Sequence, residues 1–534
     1  MTISLLNLTG ILLVSMASRI LISRKEMPGF DVYGHLCFAN TLREQRAGPF
    51  GKIYLRLAGA SAYSQPFMWH WLIGFFDANS LLRNQAWLNG VIDSLFIVIA
   101  FLIAQWSGYS ERVALYAVAI YLLTPMWFSS IAIGPRIAGF TPRLSSEVAT
   151  NLFFMVCLFP TGLSEVQTVI LGGLLAAFVL SSSKFGVQAM LFLAPLVSLI
   201  GGSLMPLLSL VVGLIFTLVA SRGRIIGQIK SQVTHLTWYF KENMKGNMPV
   251  SNRNSFRALF RRAEPSLKSH LVKLVHRILS QNSYTSVSVK LPVIFIVAFI
   301  FVRSIGSGSD MYGSPLAAPI VSACLVYFVV NLRPFLFLGE AERYLNHVAF
   351  FIALFAAKHM LDNEFEWLLW ALFVYGAVYW GIETFALEKL KPEHLRQRAI
   401  EDDLVIKDLQ ALPQPTVVLG YPYLSAGGVF RIMLETKHSA IYCLFTSKDF
   451  SEKFNAKYAD DFPYTKLEKL DDMADEYGVG YIVLDRRDLS ARGFEGWLPS
   501  SSWAKRPVGG EIYDVYHRQK SAEERDVAPS IDMT

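Results

Sequence analysis

Charged side chains are scarce. Asp, Glu, Lys and Arg make up 17% of 534 residues, while 53% of the chain is hydrophobic. A soluble globular protein rarely has that balance, so an ordinary soluble fold is excluded. Cysteine is scarcer still. Cys37, Cys157, Cys324 and Cys443 are scattered with no CxxC pair, which excludes a metal knuckle and a disulfide framework. No internal repeat and no matched pair of Gly/Pro-broken apolar segments is present, features that transporters show. The C-terminal third has no GxGxxG and no phosphate loop.

What is present is apolar sequence in long blocks. The mean hydropathy is +0.37. Runs of roughly 17–22 apolar residues, separated by short polar breaks, match the length needed to cross a bilayer. Backbone groups must be satisfied inside lipid, so these runs are expected to be helices. The spans are expected at 3–22, 85–106, 112–133, 144–160, 166–182, 185–202, 204–220, 290–304, 315–332, 344–360 and 365–386. The first run lacks a basic start and a small-residue cleavage site, so it reads as a retained span and not a signal peptide. The fold class is therefore a polytopic α-helical membrane protein of about 11 transmembrane helices. The formal net charge of +7 lies mostly in two segments outside the spans. Its partner is expected to be anionic lipid or phosphate and not nucleic acid.

Residues 1–386 form the expected transmembrane module. Within it, 23–84 is a long, aromatic first loop, and loops of that length are usually functional. Residues 221–290 are basic. From Phe256 to Leu279 apolar residues recur at helical spacing, which predicts a basic amphipathic helix on a membrane surface. Residues 387–410 read as a charged linker. Over 411–519, strand patterns at 415–420, 439–445, 480–485 and 512–517 alternate with helical ones at 427–436 and 467–477. That predicts a small α/β domain with a mostly parallel sheet. The polar tail, 520–534, is expected to be disordered.

Three groups of residues stand out chemically. In PGFDVYGHL, Asp31 and His35 are four apart, so a helix puts them on one face; Asp31 as a plain helix cap is the competing reading. In AYSQPFMWHWL, Tyr63, Gln65, Trp69 and His70 stand around Pro66, as an interfacial aromatic belt or as a substrate pocket. Third come charges at span ends: Arg136, Arg143, Lys184, Glu342 and Arg343. Such charges snorkel as anchors or, facing the bundle interior, mark a substrate path. With the N-terminus inside and an odd number of spans, all of these and the C-terminal domain fall on the outer side. The basic residues in 23–84 oppose that orientation under the positive-inside rule.

These motifs resemble the GT-C superfamily of membrane glycosyltransferases, which includes protein O-mannosyltransferases and lipid A aminoarabinose transferases. The resemblance rests on the acid after the first span (GFDVYGHL), the aromatic–proline stretch before the second (YSQPFMWHWL) and the late EAERYL element. The sequence has Gln65–Pro66 where the family often has two prolines, and Asp31 has no neighbouring acid. The resemblance implies inverting transfer of a sugar from a polyprenyl-phosphate donor to a hydroxyl of a glycan, lipid or protein. It implies Asp31 as general base and Lys184, Arg343 and Arg143 at the donor phosphate. It places His35, Tyr63, Gln65, Trp69, His70 and Glu342 in the acceptor or sugar pocket. No cofactor is implied, and no paired-acid motif supports a divalent metal. The implied location is the cell (inner) membrane, with the site and C-terminal domain extracytoplasmic. A polytopic transporter or flippase for a lipid-linked or polysaccharide substrate is the rival reading.

Overall fold

The computed structural model describes residues 5–23, 30–59, 63, 65–131, 136–137, 139–245, 253–259, 274–306, 311–363, 365–385, 393–422, 428–442, 448–460, 463–508 and 510–519. The chain divides into two compact units. One comprises Met1–His35, Leu42–Gly51 and Ser64–Leu390; the other comprises Leu36–Thr41, Lys52–Tyr63 and Lys391–Thr534.

The first unit is helical. In chain order it contains α1 (Leu5–Ser23), α2 (Phe30–Glu44), α3 (Met68–Ile73), α4 (Ala78–Trp106), α5 (Glu111–Leu123), α6 (Pro142–Leu158), α7 (Glu165–Ser182), α8 (Lys184–Gly201) and α9 (Met205–Ala220). Then follow α10 (Arg224–Lys245), α11 (Phe256–Leu259), α12 (Ser283–Lys290), α13 (Val293–Gly306), α14 (Ala318–Val330), α15 (Glu342–Asn346), α16 (Ala349–Asp362) and α17 (Glu366–Phe385). Four of these, α4, α7, α8 and α17, are individually long and apolar enough to cross a membrane, or up to six if each bent pair is one span.

Local chemistry sets the boundaries. The run expected at 112–133 yields a helix only to Leu123. Thr124 precedes Pro125 and takes an extended conformation, because the proline ring disfavours helix in the residue before it. The run at 344–360 is split into α15 and α16 by a turn at His347–Val348. The long helix described in the basic segment is α10. It bends 110° away from α9. Of the helix expected at Phe256–Leu279, α11 covers four residues, and 260–273 lie outside the described residues.

Small residues let the helices approach. A Cβ added to Gly213 on α9 would stand 2.6 Å from that of Ala176 on α7, and one on Gly173 would stand 2.6 Å from Val212. A Cβ on Gly376 of α17 would overlap the Leu123 carbonyl that ends α5. This is the small-residue packing that membrane helices use in place of a hydrophobic drive. A buried charge chain adds specificity. Arg19 of α1 reaches Asp93 of α4 at 2.8 Å, Arg136 reaches the same carboxylate at 3.0 Å and Glu147 of α6 at 2.5 Å. Tyr121 donates to Asp93 at 2.7 Å. Two arginines and two carboxylates leave no net charge.

The contacts sort into two ends. At one end, Asn7 of α1 meets Glu111 of α5, and Arg112 meets Glu366 of α17. At the other, Ser23 and Asn89 donate to the Ile137 carbonyl, Lys290 donates to Ile131, and Glu383 accepts from the Ser130 amide.

The second unit holds a five-stranded sheet of β1 (Val417–Tyr421), β2 (Ser439–Ala440), β3 (Val479–Asp485), β4 (Trp503–Lys505) and β5 (Tyr513–Arg518), in the order β2-β1-β3-β5-β4. β2, β1 and β3 run parallel, and β5 and β4 pair antiparallel. The sheet is thus mixed, because β5 runs antiparallel to both of its neighbours, β3 and the short β4. The helix α18 (Glu393–Ala411) is tied to the start of β5 by Glu401. This buried carboxylate accepts from the amides of Gly510, Glu511, Ile512 and Tyr513 at 2.8–3.1 Å. First-loop residues join this unit. Leu57 bridges Ala440 beside β2, and Arg56 donates to the carbonyls of Met433 and Thr436. Part of the segment 23–84, expected wholly in the transmembrane module, therefore packs with residues far along the chain.

Candidate functional site

A cavity of about 160 Å³ opens in the helical unit. Arg143, Lys184 and Arg343 all line it, with His35, Gln65, Pro66, His70, Glu147, Ser182, Ser183, Phe185 and His347. The cations come from three places in the chain: the first turn of α6, the first residue of α8 and the first turn of α15.

The local sequence explains why each arrives there. Thr141 caps α6, its Oγ1 accepting from the Arg143 amide at 3.3 Å, and Pro142 occupies the first turn. Proline is suited to that position because its amide is not needed there. Ser183 is the single residue between α7 and α8, and its Oγ accepts from the Gly186 amide at 3.1 Å. Two helix N-termini, each with partial positive charge, therefore face the cavity beside the cations. Gln232 of α10 donates to the Lys184 carbonyl at 2.8 Å.

Arg343 is held in two ways. It pairs with Glu340 at 2.5 Å, and its guanidinium stands 5.0 Å from the centre of the Phe185 ring. Phe185 in turn packs on Tyr344 and His347. Glu147, which lines the cavity, is already matched by Arg136 and accepts from Asn346. Among the described residues that line the cavity, Arg143, Lys184 and Arg343 are cations and Glu147 is an acid. Among the described residues, His347 Nδ1 and Ser182 Oγ are buried with no hydrogen-bond partner, and such groups cost free energy until a ligand or water satisfies them.

The α2 and α3 wall is neutral. His35 Nδ1 lies 2.7 Å from His70 Nε2. Burial first, then the charges of Arg143 and Lys184, depress His35 to about 3. Burial also holds His70 well below its usual value. Both imidazoles are uncharged at neutral pH, so one donates to the other. His35 and His70 offer the cavity hydrogen bonds without charge, and Arg143, Lys184 and Arg343 offer it charge.

No family model matches the sequence, and no curated protein matches it. Solved structures do. The structure of ArnT from Cupriavidus metallidurans bound to undecaprenyl phosphate aligns over 96% of this chain and 97% of its own, with 12% identity and a TM-score of 0.53. The chain has the GT-C fold. An oligosaccharyltransferase from Archaeoglobus fulgidus aligns over 91% of this chain and 70% of its own, with 10% identity and a TM-score of 0.47.

Within this GT-C fold the expected residues divide. Arg143, Lys184 and Arg343 meet, and so do His35, Gln65 and His70. Tyr63, Trp69 and Glu342 are not among the described residues that line the cavity. Tyr63 belongs to the second unit, where it pairs with Ile53 and stacks on Phe38. Trp69 packs against Phe140 at 5.5 Å. Glu342 binds Arg253 and accepts from Ser283 at 3.0 Å. Arg136 is buried in the charge chain and is not a lip cation. Asp31 is exposed in the first turn of α2, not partly desolvated as its place beside a span suggests. Its charge nonetheless acts on Arg143, and the next turn of α2 brings His35 into the cavity. Glu147, Glu340, Ser182, Ser183 and His347 were not anticipated. Ser182 and Ser183 carry one signal, a polar run (SSSK) at the end of an apolar span. Among the described residues, no three His, Cys, Asp or Glu side chains group as a metal site.

Proposed function

We propose that this chain is a membrane glycosyltransferase taking its sugar from a polyprenyl-phosphate donor. The convergence of Arg143, Lys184 and Arg343 on one cavity carries the reading. An acceptor hydroxyl attacks the anomeric carbon from the face opposite the phosphate. The carbon–oxygen bond to the lipid phosphate breaks, configuration inverts, and the lipid phosphate departs with one more negative charge. Lys184, Arg343 and Arg143, with the N-termini of α6 and α8, stabilise that charge as it grows. Asp31 takes the acceptor proton. His35, His70 and Gln65 hold the sugar or the acceptor by hydrogen bonds. The fold supports the reading, as does a neighbour solved with undecaprenyl phosphate bound.

Eleven spans fit the contacts. Taking α1, α4, α5, α6, α7, α8, α9, α13, α14, α16 and α17 as spans, successive helices alternate between the Asn7–Glu111 end and the Ser23–Ile137 end. In this reading the cavity opens on the extracytoplasmic side of the inner membrane. The acceptor is a glycan, lipid or protein hydroxyl.

The purified chain, supplied with a polyprenyl-phosphate sugar and a hydroxyl acceptor, should release polyprenyl phosphate in step with glycosylated product. Movement of the intact lipid-linked sugar across a vesicle bilayer, with no product, would instead identify a flippase.

A further inference from the structure

A second and larger hollow, about 240 Å³, lies in the helical unit between the end of α2 and the end of α3. Leu42, Arg43, Arg46, Trp71, Gly74 and Phe75 line most of it. It shares no residue with the cavity around Lys184. Both of its charged lining residues are arginines.

Its construction is specific. After α2 the chain turns back, with Arg46 and Ala47 donating to the carbonyls of Arg43 and Leu42. Arg46 has φ +49°, a conformation normally left to glycine or asparagine at a helix end. An arginine there gives up backbone comfort for a side chain at the rim. No ion pair or hydrogen bond holds the Arg46 side chain among the described residues. Arg43 donates to the Phe76 carbonyl at 3.4 Å, which fixes it over the loop that follows α3. Trp71 of α3 and Phe75 of that loop pack edge to face at 4.9 Å. Phe75 and Phe76 project outward, 67% and 62% exposed, just ahead of α4.

Exposed aromatics beside the start of a span belong at the membrane–water interface. Two arginines beside them match a phosphate in charge, and a guanidinium binds phosphate through paired N–H donors. We propose that this hollow is a second lipid site, holding the phosphate headgroup of an anionic lipid from the surrounding bilayer. Arg43 and Arg46 grip the headgroup, and Trp71, Phe75 and Phe76 lie among the upper acyl carbons. The site does not depend on the transferase reading. It also gives the first-loop arginines a use on a face where positive charge is otherwise unexpected.

The test uses the full chain in nanodiscs of phosphatidylcholine containing a minor fraction of phosphatidylglycerol. Lipid retained by the purified protein is then measured by native mass spectrometry. Wild type should retain phosphatidylglycerol preferentially. Arg43→Gln with Arg46→Gln should lower that preference by roughly 10-fold or more, since each interfacial arginine is worth about 5-fold. Phe75→Ser with Phe76→Ser should weaken retention of both lipids while leaving the preference in place. Polyprenyl phosphate binding, measured separately, should be unchanged in the arginine pair, which separates this site from the cavity. Undiminished phosphatidylglycerol preference in the arginine pair would overturn the proposal. So would a preference lost equally in the phenylalanine pair, because headgroup recognition would then not reside in the arginines.

Discussion

The guanidinium of Arg343 lies 5.0 Å from the centre of the Phe185 ring, and Phe185 directly follows Lys184. Two segments far apart in the chain are thereby joined beside the cavity that Lys184 and Arg343 both line. A cation over an aromatic face gains about 0.5–2 kcal/mol, more when desolvated. Phe185→Leu should keep an apolar side chain and lose the quadrupole. It should raise the donor KM several-fold and leave the acceptor KM unchanged. An unchanged donor KM would show that Glu340 alone positions Arg343.

Lys184→Ala and Arg343→Ala each remove one charge from the departing phosphate. Losing one such preorganised group costs roughly 10²–10³ in rate. Steady-state kinetics should place that loss in donor use and not in acceptor use. Equal effects on both substrates would make these residues anchors.

Asp31→Asn should abolish transfer while the protein still folds and binds polyprenyl phosphate. The measurement is turnover beside lipid binding on the same preparation. Asp31 is exposed in the first turn of α2, so the substitution removes no buried partner and should leave the melting temperature unmoved. Full turnover would transfer the base role to another group, and Glu147 is the carboxylate that lines the cavity.

Asp93→Asn tests the charge chain. Asp93 is buried and accepts from Arg19 and Tyr121 while pairing with Arg136. Breaking a buried pair from one side costs about 3–5 kcal/mol, because the remaining charge is left uncompensated. Thermal unfolding in detergent should show a large loss. A neutral effect would mean that water replaces the carboxylate.

The second unit has its own titration. Burial raises the Asp402 carboxyl to about 6, against a usual 3.8, with the Tyr513 hydroxyl and Arg398 opposing. A raised carboxyl favours the folded state while protonated. That contribution is complete below the unfolded value and is lost as pH rises through about 6. The melting temperature should therefore fall between about pH 4 and 7 more steeply in wild type than in Asp402→Asn. Parallel curves would contradict the assignment.

The cationic half of the site was legible in the sequence for a physical reason. A lysine or arginine at the end of an apolar run is expensive unless it has work there, so Arg143, Lys184 and Arg343 stand out against their surroundings. The acids were harder. GEAERYL offers both Glu340 and Glu342. A short helix beginning at Glu342 turns that residue toward Arg253 and Ser283, and leaves Glu340 in the preceding turn to meet Arg343. Nothing in the local pattern distinguishes the two. Trp69 and His70 are adjacent, and one residue of helix rotation puts His70 in the cavity and Trp69 against Phe140. His347 and Glu147 gave no signal, since each is one polar residue among many near a span end. Strand β4 is three residues long, too short for alternation to register, and so the sheet read as mostly parallel. Arg56, which counted against the orientation as a loop cation, is spent on the carbonyls of Met433 and Thr436.

The central claim is that Arg143, Lys184 and Arg343 together hold a lipid phosphate. Its most direct test is equilibrium binding of polyprenyl phosphate to the purified chain and to the triple variant Arg143→Gln, Lys184→Gln, Arg343→Gln. Saturable binding to wild type, lost in a triple variant that remains folded, is the predicted result. Equal saturable binding by both proteins would contradict it.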